Sequence, residues 1–551
     1  MLRCSSIRRV GIAETVLAAA AQPGSIAEGR QLAEPTLKLA RGTPSPHRCK
    51  MGKRRNEDAQ ISKAEYARRE AKPPSGGGAF PRADAATLAQ RRLVSPFSSR
   101  DSRPLAREAY ATRIASLNKS FSAFAETALT SSPKEAIVDA ARDYVRYAEQ
   151  LEARFLPKRT EVLSFGSGDC GQLAHSSTLE DENDTVVAKP RVVKALTNKV
   201  VAQLSCGGLH NVAVTLDGVC FTWGCNDEGS LGREGDESLL YMPGAIQLPE
   251  KVTCVAAGGS QTFAVTLSGK VYGWGCYKDK EGKQWFDAPN GLQPKRKQTT
   301  PLLIPSLKNV TTVATGAAFN AALTANGDCL TWGLGEVGQL GRSVRDVKVN
   351  DEYDLDSLRN DHLTPQKVDL GGKCKILGCG AYHLLAATEL GLLSCGLNNY
   401  GQLGDGTTTD RTRPVLVKGL EDRAIAELCG GEHHTLCLLG DGTVKAWGRA
   451  DYGQLGAGKS EAEKAGSLRE TPGDVPGLKD VKSIACGDHH NLALDAAGSV
   501  KAWGYGDMNA LGLGRARDEF APKLLEFGIS VTITQVAGGG QHSMVVAAVA
   551  D

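Results

Sequence analysis

Ten histidines and fifteen cysteines are the residues best able to do chemistry in this chain, and their placement is regular. His210, His383, His434, His490 and His542 each stand three residues after a glycine, at one position of a repeat where Gln261 and Phe319 fill two further places. Imidazoles in such number suit metal ligation or acid/base work. Repetition argues for a plainer role: equivalent positions fall on separate units, and a buried imidazole tying each unit to its neighbour needs no reaction. Cys206, Cys379, Cys429 and Cys486 precede a glycine in what read as equivalent places, which suits a small buried side chain. The cysteine count is odd, and Cys374 with Cys379 lacks the two-residue spacing of zinc or redox motifs. A reducing compartment follows, with neither a disulfide framework nor a zinc module. The chain has no nucleophile elbow, Walker loop or His-Glu-x-x-His pattern, so neither bond-breaking catalysis nor a metal or cofactor of its own is expected. One charged run, Tyr277-Lys-Asp-Lys-Glu-Gly282, stands out because it interrupts the repeat. Long charged loops are common on surfaces; this one is out of pattern.

The repeat supplies the elements that position these residues. A small or aromatic residue followed by glycine recurs at Phe165-Gly166, Trp223-Gly224, Trp274-Gly275, Trp332-Gly333, Cys395-Gly396, Trp447-Gly448 and Trp503-Gly504. The spacing is about 56 residues, close to the blade-sized periods of propellers. Six of the seven lead into a turn of the type Gly171-Gln172-Leu173, with Gly229, Gly338, Gly401, Gly453 and the variant Ala510-Leu511-Gly512 at the other units. Upstream lie alternating strands joined by two-residue turns such as Asp217-Gly218 and Asp441-Gly442, where glycine supplies the positive φ of a tight hairpin. Six hairpins are complete, and the seventh is split between Glu161–Phe165 and the strand after Gly538. Pairing those two ends closes a ring and removes exposed sheet edges. The fold expected is all-β: a seven-bladed β-propeller over 159–551, closed by its terminal strands. No run of 18 apolar residues occurs, so membrane insertion is not expected.

Beyond the repeat itself, several stretches are distinctive. Phe221-Thr-Trp-Gly-Cys-Asn-Asp-Glu-Gly-Ser-Leu-Gly-Arg233, Gly396-Leu-Asn-Asn-Tyr-Gly-Gln-Leu-Gly404, Gly430-Gly-Glu-His-His-Thr-Leu-Cys437 and Gly448-Arg-Ala-Asp-Tyr-Gly-Gln-Leu-Gly456 resemble the regulator of chromosome condensation family, a seven-bladed propeller, and in particular its type that exchanges guanine nucleotide on the GTPase Ran. The resemblance covers about residues 161 to 549. It implies that Tyr277, Lys278, Asp279, Lys280, Glu281 and Gly282 belong to a wedge pressed against the GTPase's phosphate-binding region. It also implies exchange-face roles for Asp169 and His433. The GDP or GTP and Mg²⁺ concerned belong to Ran. Two further acidic positions of that face fall on Gly259 and Ala318, so exchange is expected to be weakened, or binding kept without exchange.

Ahead of the repeats the charge reverses. Residues 1–158 hold 28 Lys+Arg against 16 Asp+Glu, whereas the remainder is acidic within a net charge of +3. A basic tail suits an import receptor or nucleic acid. Met51-Gly-Lys-Arg-Arg-Asn-Glu-Asp and Gly78-Ala-Phe-Pro-Arg-Ala-Asp resemble the start of the fifty-kilodalton nucleoporin family. That resemblance implies importin-α binding by Lys53, Arg54 and Arg55 at one site, and by Phe80, Arg91 and Arg92 at a second. Nucleosomal DNA stays open as a partner of the same tail. Pro73-Pro74-Ser75-Gly-Gly-Gly78 and Ser95–Pro104 are linker compositions, so 51–105 is expected to be disordered until bound. Apolar spacings of three and four place a short helical segment in 106–158. Residues 1–50 fit a transit peptide, an extension before a true start at Met51, or part of the mature chain. The expected location is the nucleus, at the pore or on chromatin.

Overall fold

Strands such as His210–Thr215, Gln261–Thr266 and His434–Leu439 are buried at every position. A strand covered on both sides needs a second sheet on each face, and a ring of radial sheets provides this. In the computed structural model, residues 159–286, 294–349, 352–463 and 467–549 are described. They form seven four-stranded antiparallel sheets and two small two-stranded hairpins. Blades one to six each use four strands in chain order from the central channel outward. Blade one comprises Val201–Cys206, His210–Thr215, Cys220–Gly224 and Gly244–Ile246. Blades two to six begin at Val252, Val310, Cys374, Ile425 and Val481. The sequence pattern shows the middle hairpin of each blade; the inner and outer strands are added by the structure.

Blade seven is assembled from both ends of the propeller. Thr532–Gly538 and His542–Ala548 supply its inner strands, while Thr160–Ser167 and Val186–Val192 supply the outer pair. Leu163 pairs with Val545 and Phe165 with Ser543, so the expected closure is present. Among the described residues no helix is long and apolar enough to cross a membrane. The expected tail and helical segment, 1–158, lie outside the described residues.

The repeat signature proves to be glue between blades. Four of the six glycine-x-leucine turns present a carbonyl to the tryptophan of the next blade: Trp223 Nε1 donates to Gln172 O at 3.0 Å, Trp274 to Ser230 O at 2.8 Å, Trp447 to Gln402 O at 2.8 Å and Trp503 to Gln454 O at 3.0 Å. The repeat histidines add a second ring of bonds. His210 Nε2 meets Thr262 Oγ1 at 2.7 Å, His383 meets Thr435 at 2.8 Å, and His434 meets Asn491 Oδ1 at 2.7 Å. His490 meets Ser543 at 2.7 Å, and His542 meets Asn211 at 2.7 Å, carrying the ring across the closure. All five are thus structural, as repetition implied. Trp447→Ala is expected to cost about 3–5 kcal/mol by leaving a large cavity, read as a lower denaturant midpoint.

Candidate functional site

Alternation of strand direction puts two sets of loops on one face of the ring. The loop between the first and second strands carries the residues just before each repeat histidine, and the loop after each Trp-Gly emerges beside it. The two-residue hairpin turns lie on the opposite face. Close contact holds the two sets together: Arg449 N donates to His433 O at 2.9 Å, and a Cβ on Gly448, at φ 102°, would lie 2.4 Å from that oxygen.

Blades two and three build a projection on this face. Tyr277–Lys278 pairs with Gln284–Trp285 as a short hairpin, with Gly282 at its turn in a φ of 81°. Two of the expected contact residues prove to be its foundations. Tyr277 is 1% exposed, stacks on Phe286 at 5.5 Å, and accepts a hydrogen bond from Asn320 at 3.1 Å. Asp279 is buried: its Oδ1 accepts from the amides of Glu281 and Lys283, at 3.0 and 2.8 Å. Its Oδ2 accepts from Trp285 Nε1 at 3.0 Å and from Tyr353 OH at 2.7 Å. Lys278 pairs with Glu228, and Lys280 and Glu281 form the exposed tip.

A second hairpin, Lys348–Val349 with Glu352–Tyr353, braces the first. Lys348 pairs with Glu281, the Trp285 and Tyr353 rings sit 4.9 Å apart, and Lys283 Nζ lies 3.6 Å over Tyr353. Sequence reasoning missed this brace. The signal was the long interval between Gly341 and the next strand, which has no counterpart in other units.

Around the ring, Asp169 is exposed, with Ser167 Oγ donating to it at 3.1 Å. His433 is only 8% exposed, its ring 5.0 Å from Tyr400 and 6.4 Å from Tyr382. Burial pulls its imidazole down to about 4, against the raising effect of Glu432, so it is neutral at pH 7. Sequence reasoning also missed its neighbours. Glu432 Oε2 lies 3.1 Å from His489 Nε2, and Arg449 lies between the Tyr400 and Tyr452 rings, 4.9 Å from each, while binding Asp451. Tyr505 packs edge-on against Tyr452 at 5.1 Å. The recurrent Tyr-Gly-Gln-Leu of Tyr400 and Tyr452 was the available signal.

Burial alone would raise the Glu432 carboxyl, but the bond to His489 and the electrostatic pull of its histidine and arginine neighbours outweigh it and bring it down to about 2. His489 is drawn down by burial and more strongly up by Glu432, so it stays above its ordinary value. A raised histidine stabilises fully below 6.5 and loses that contribution as pH rises through its folded value. His489→Gln is therefore expected to remove a small decline in melting temperature between pH 6.5 and 8.5; an unchanged pH profile would show that the pair contributes nothing.

The two missing carboxylates are accounted for sterically at one position. A Cβ on Gly259 would sit 2.4 Å from Ala317 O, so the adjoining loops have closed over the place a side chain would need. Ala318 is 8% exposed, at the start of the Phe319 strand. Lys53, Arg54, Arg55, Phe80, Arg91 and Arg92 lie outside the described residues. Among the described residues no cluster of histidine, cysteine and carboxylate is placed to hold a metal ion.

A closed ring of seven such blades, with a braced wedge on one face, defines a repeat propeller of a particular kind. Residues 161–545 match the model of the RCC1-like domain, and the chain belongs to that family. It is 34% identical over 400 residues to the regulator of chromosome condensation of Xenopus laevis, spanning 70% of this chain and 89% of that one. The human protein of the same name is 34% identical over 401 residues, with the same coverage. The crystal structure of Prp20p from Saccharomyces cerevisiae, described with its binding to Gsp1p and histones, superposes with a TM-score of 0.63 at 26% identity, covering 72% of this chain and 92% of that one. Yeast RCC1 (Prp20) bound by Kap60 gives 0.64 at 26% identity, covering 71% and 90%.

Proposed function

We propose that the wedge face binds the GTPase Ran and promotes release of its nucleotide, in the nucleus, while the basic tail binds importin-α. The observation that carries this reading is the wedge. A charged hairpin is locked from below by Asp279, braced by a second hairpin, and stands on the same face as Asp169 and His433. An exchange factor forms and breaks no covalent bond; it prefers the nucleotide-free GTPase, and 10⁴-fold acceleration corresponds to about 5.5 kcal/mol of preference. A rigid charged tip suits this work because a phosphate site is built from backbone amides and a lysine, whose arrangement a neighbouring charge disturbs. Binding of Gsp1p and of Kap60 by the same yeast relative, Prp20, supports the two partners respectively. Lys53, Arg54, Arg55, Phe80, Arg91 and Arg92 are the proposed importin-α contacts.

The test is release of a fluorescent GDP from Ran in the presence of the full chain. Acceleration that falls when Lys280 and Glu281 are changed to alanine is the expected result. Release at the spontaneous rate overturns exchange. A second reading then stands on the absent carboxylates at Gly259 and Ala318: a scaffold that holds Ran or chromatin without exchange, recognised by co-purification alone.

A further inference from the structure

The cysteines of the innermost strands are not equivalent. Cys206, Cys379 and Cys486 each stand four residues before the repeat histidine, and pair with the residue following it: Asn211, Leu384 and Asn491. Cys429 stands five residues before His434. Gly430 takes the usual cysteine place opposite Thr435, and Cys429 pairs instead with Leu436. Successive side chains of a strand point to opposite sheet faces, so this one-residue offset turns Cys429 toward blade six. There it meets Cys486, which faces blade five. The two sulfurs are 3.0 Å apart, about 1 Å more than a disulfide bond length.

A histidine also lies at the seam. Asn491 Nδ2 donates to Gln454 O at 2.8 Å, which leaves Asn491 Oδ1 facing His434 Nε2 at 2.7 Å. That oxygen can only accept, so the imidazole proton sits on Nε2 and Nδ1 carries a lone pair. Nδ1 has no hydrogen-bond partner, and His434 acts to lower the Cys486 thiol. Burial raises both thiols; at Cys486 the effects of Cys429 and His434 outweigh it and hold the thiol below its ordinary value.

We propose that Cys429 and Cys486 are a peroxide-sensitive thiol pair whose disulfide staples blades five and six together, three residues from Glu432 and four from His433. The Cys486 thiol loses its proton, and its thiolate attacks one oxygen of hydrogen peroxide. The O–O bond breaks, leaving a sulfenic acid and a hydroxide that takes a proton to become water. Cys429, losing its own proton, attacks the sulfenic sulfur; the S–O bond breaks and a second water leaves. Two thiols and one peroxide thus give one disulfide and two waters. Cys206 is the internal control, since burial holds its thiol up and its strand has no such offset.

The experiment treats the reduced full chain with hydrogen peroxide, alkylates remaining thiols under denaturing conditions, and maps a non-reducing tryptic digest by mass spectrometry. Peptides 424–445 and 483–501 are expected as one linked species in most molecules, lost on reduction, with Cys206 recovered alkylated. The oxidised chain is expected to melt higher than the reduced one, and Cys486→Ala to abolish that difference. Cys429→Ser serves as the second variant should Cys486→Ala fold poorly. Recovery of both residues as alkylated thiols, or a link from either to another cysteine, overturns the proposal.

Discussion

Lowering the pH from 6.5 to 5 is expected to remove on the order of 8 kcal/mol from the stability of the ring. His210 is held down to about 4, and His383, His490 and His542 to about 3, in each case chiefly because burial disfavours the cation. Each has given its Nε2 to a neighbouring blade and is wholly enclosed. An unfolded chain takes up protons at all four near pH 6.5, whereas the folded ring refuses them until pH 4 or below. The neutral forms therefore stabilise fully above 6.5, and that contribution drains away as pH falls. Each histidine loses about 1.4 kcal/mol per pH unit, or about 2 kcal/mol by pH 5, and four together rival the 5–15 kcal/mol of a whole domain. Denaturant midpoints at pH 7, 6 and 5 test this, and equal midpoints would refute it. His490→Gln is expected to lower the slope by one proton. Blade two shows why an amide can serve: Gln261 occupies the histidine place and donates to Gly316 O at 3.0 Å.

The second large effect concerns the wedge. Asp279→Asn keeps the size of the side chain and one carbonyl oxygen, but turns an NH₂ toward either the Trp285 and Tyr353 donors or the two loop amides. Donor then faces donor in a buried place, at about 1–3 kcal/mol for each group left unpaired. Acceleration of GDP release from Ran is expected to fall at least about 100-fold, equivalent to roughly 2.7 kcal/mol, because the tip loses its fixed position. The melting temperature should fall by no more than these unpaired groups imply, since the hairpin is not a strand of any of the seven four-stranded sheets. Exchange equal to that of the parent chain would dismiss the wedge as the acting element. Loss of both exchange and folding would show instead that Asp279 supports the ring, and the tip variants at Lys280 and Glu281 then decide the role of the wedge.

How much of this was legible follows from which contacts are local in the chain. Trp-Gly pairs, the glycine-x-leucine turns and the repeat histidines recur because every blade needs the same bonds to its neighbour, so the fold and its closure could be read directly. The wedge could be found as a break in that pattern. Its internal roles could not: Tyr277 and Asp279 read as charged-loop residues, yet their positions are set by Asn320 and Tyr353, 43 and 74 residues away. The same holds for Glu432 and His489, which meet only when blades five and six pack. Cys429 was read as equivalent to Cys206, Cys379 and Cys486, and a single extra glycine overturns that equivalence. A one-residue register offset is nearly silent in sequence and reverses a side chain in space.

Closure of the seventh blade has a consequence for synthesis. Leu163 waits for Val545, about 380 residues later in the chain. At roughly 5–20 residues per second, a ribosome takes on the order of 20 to 75 s to deliver that partner. Throughout that interval Thr160–Ser167 presents an open edge, and blades one to six form an arc whose ends are exposed. The ring therefore completes its fold only after nearly the whole chain has emerged, and the growing arc, rather than the finished propeller, is the species that chaperones must shield.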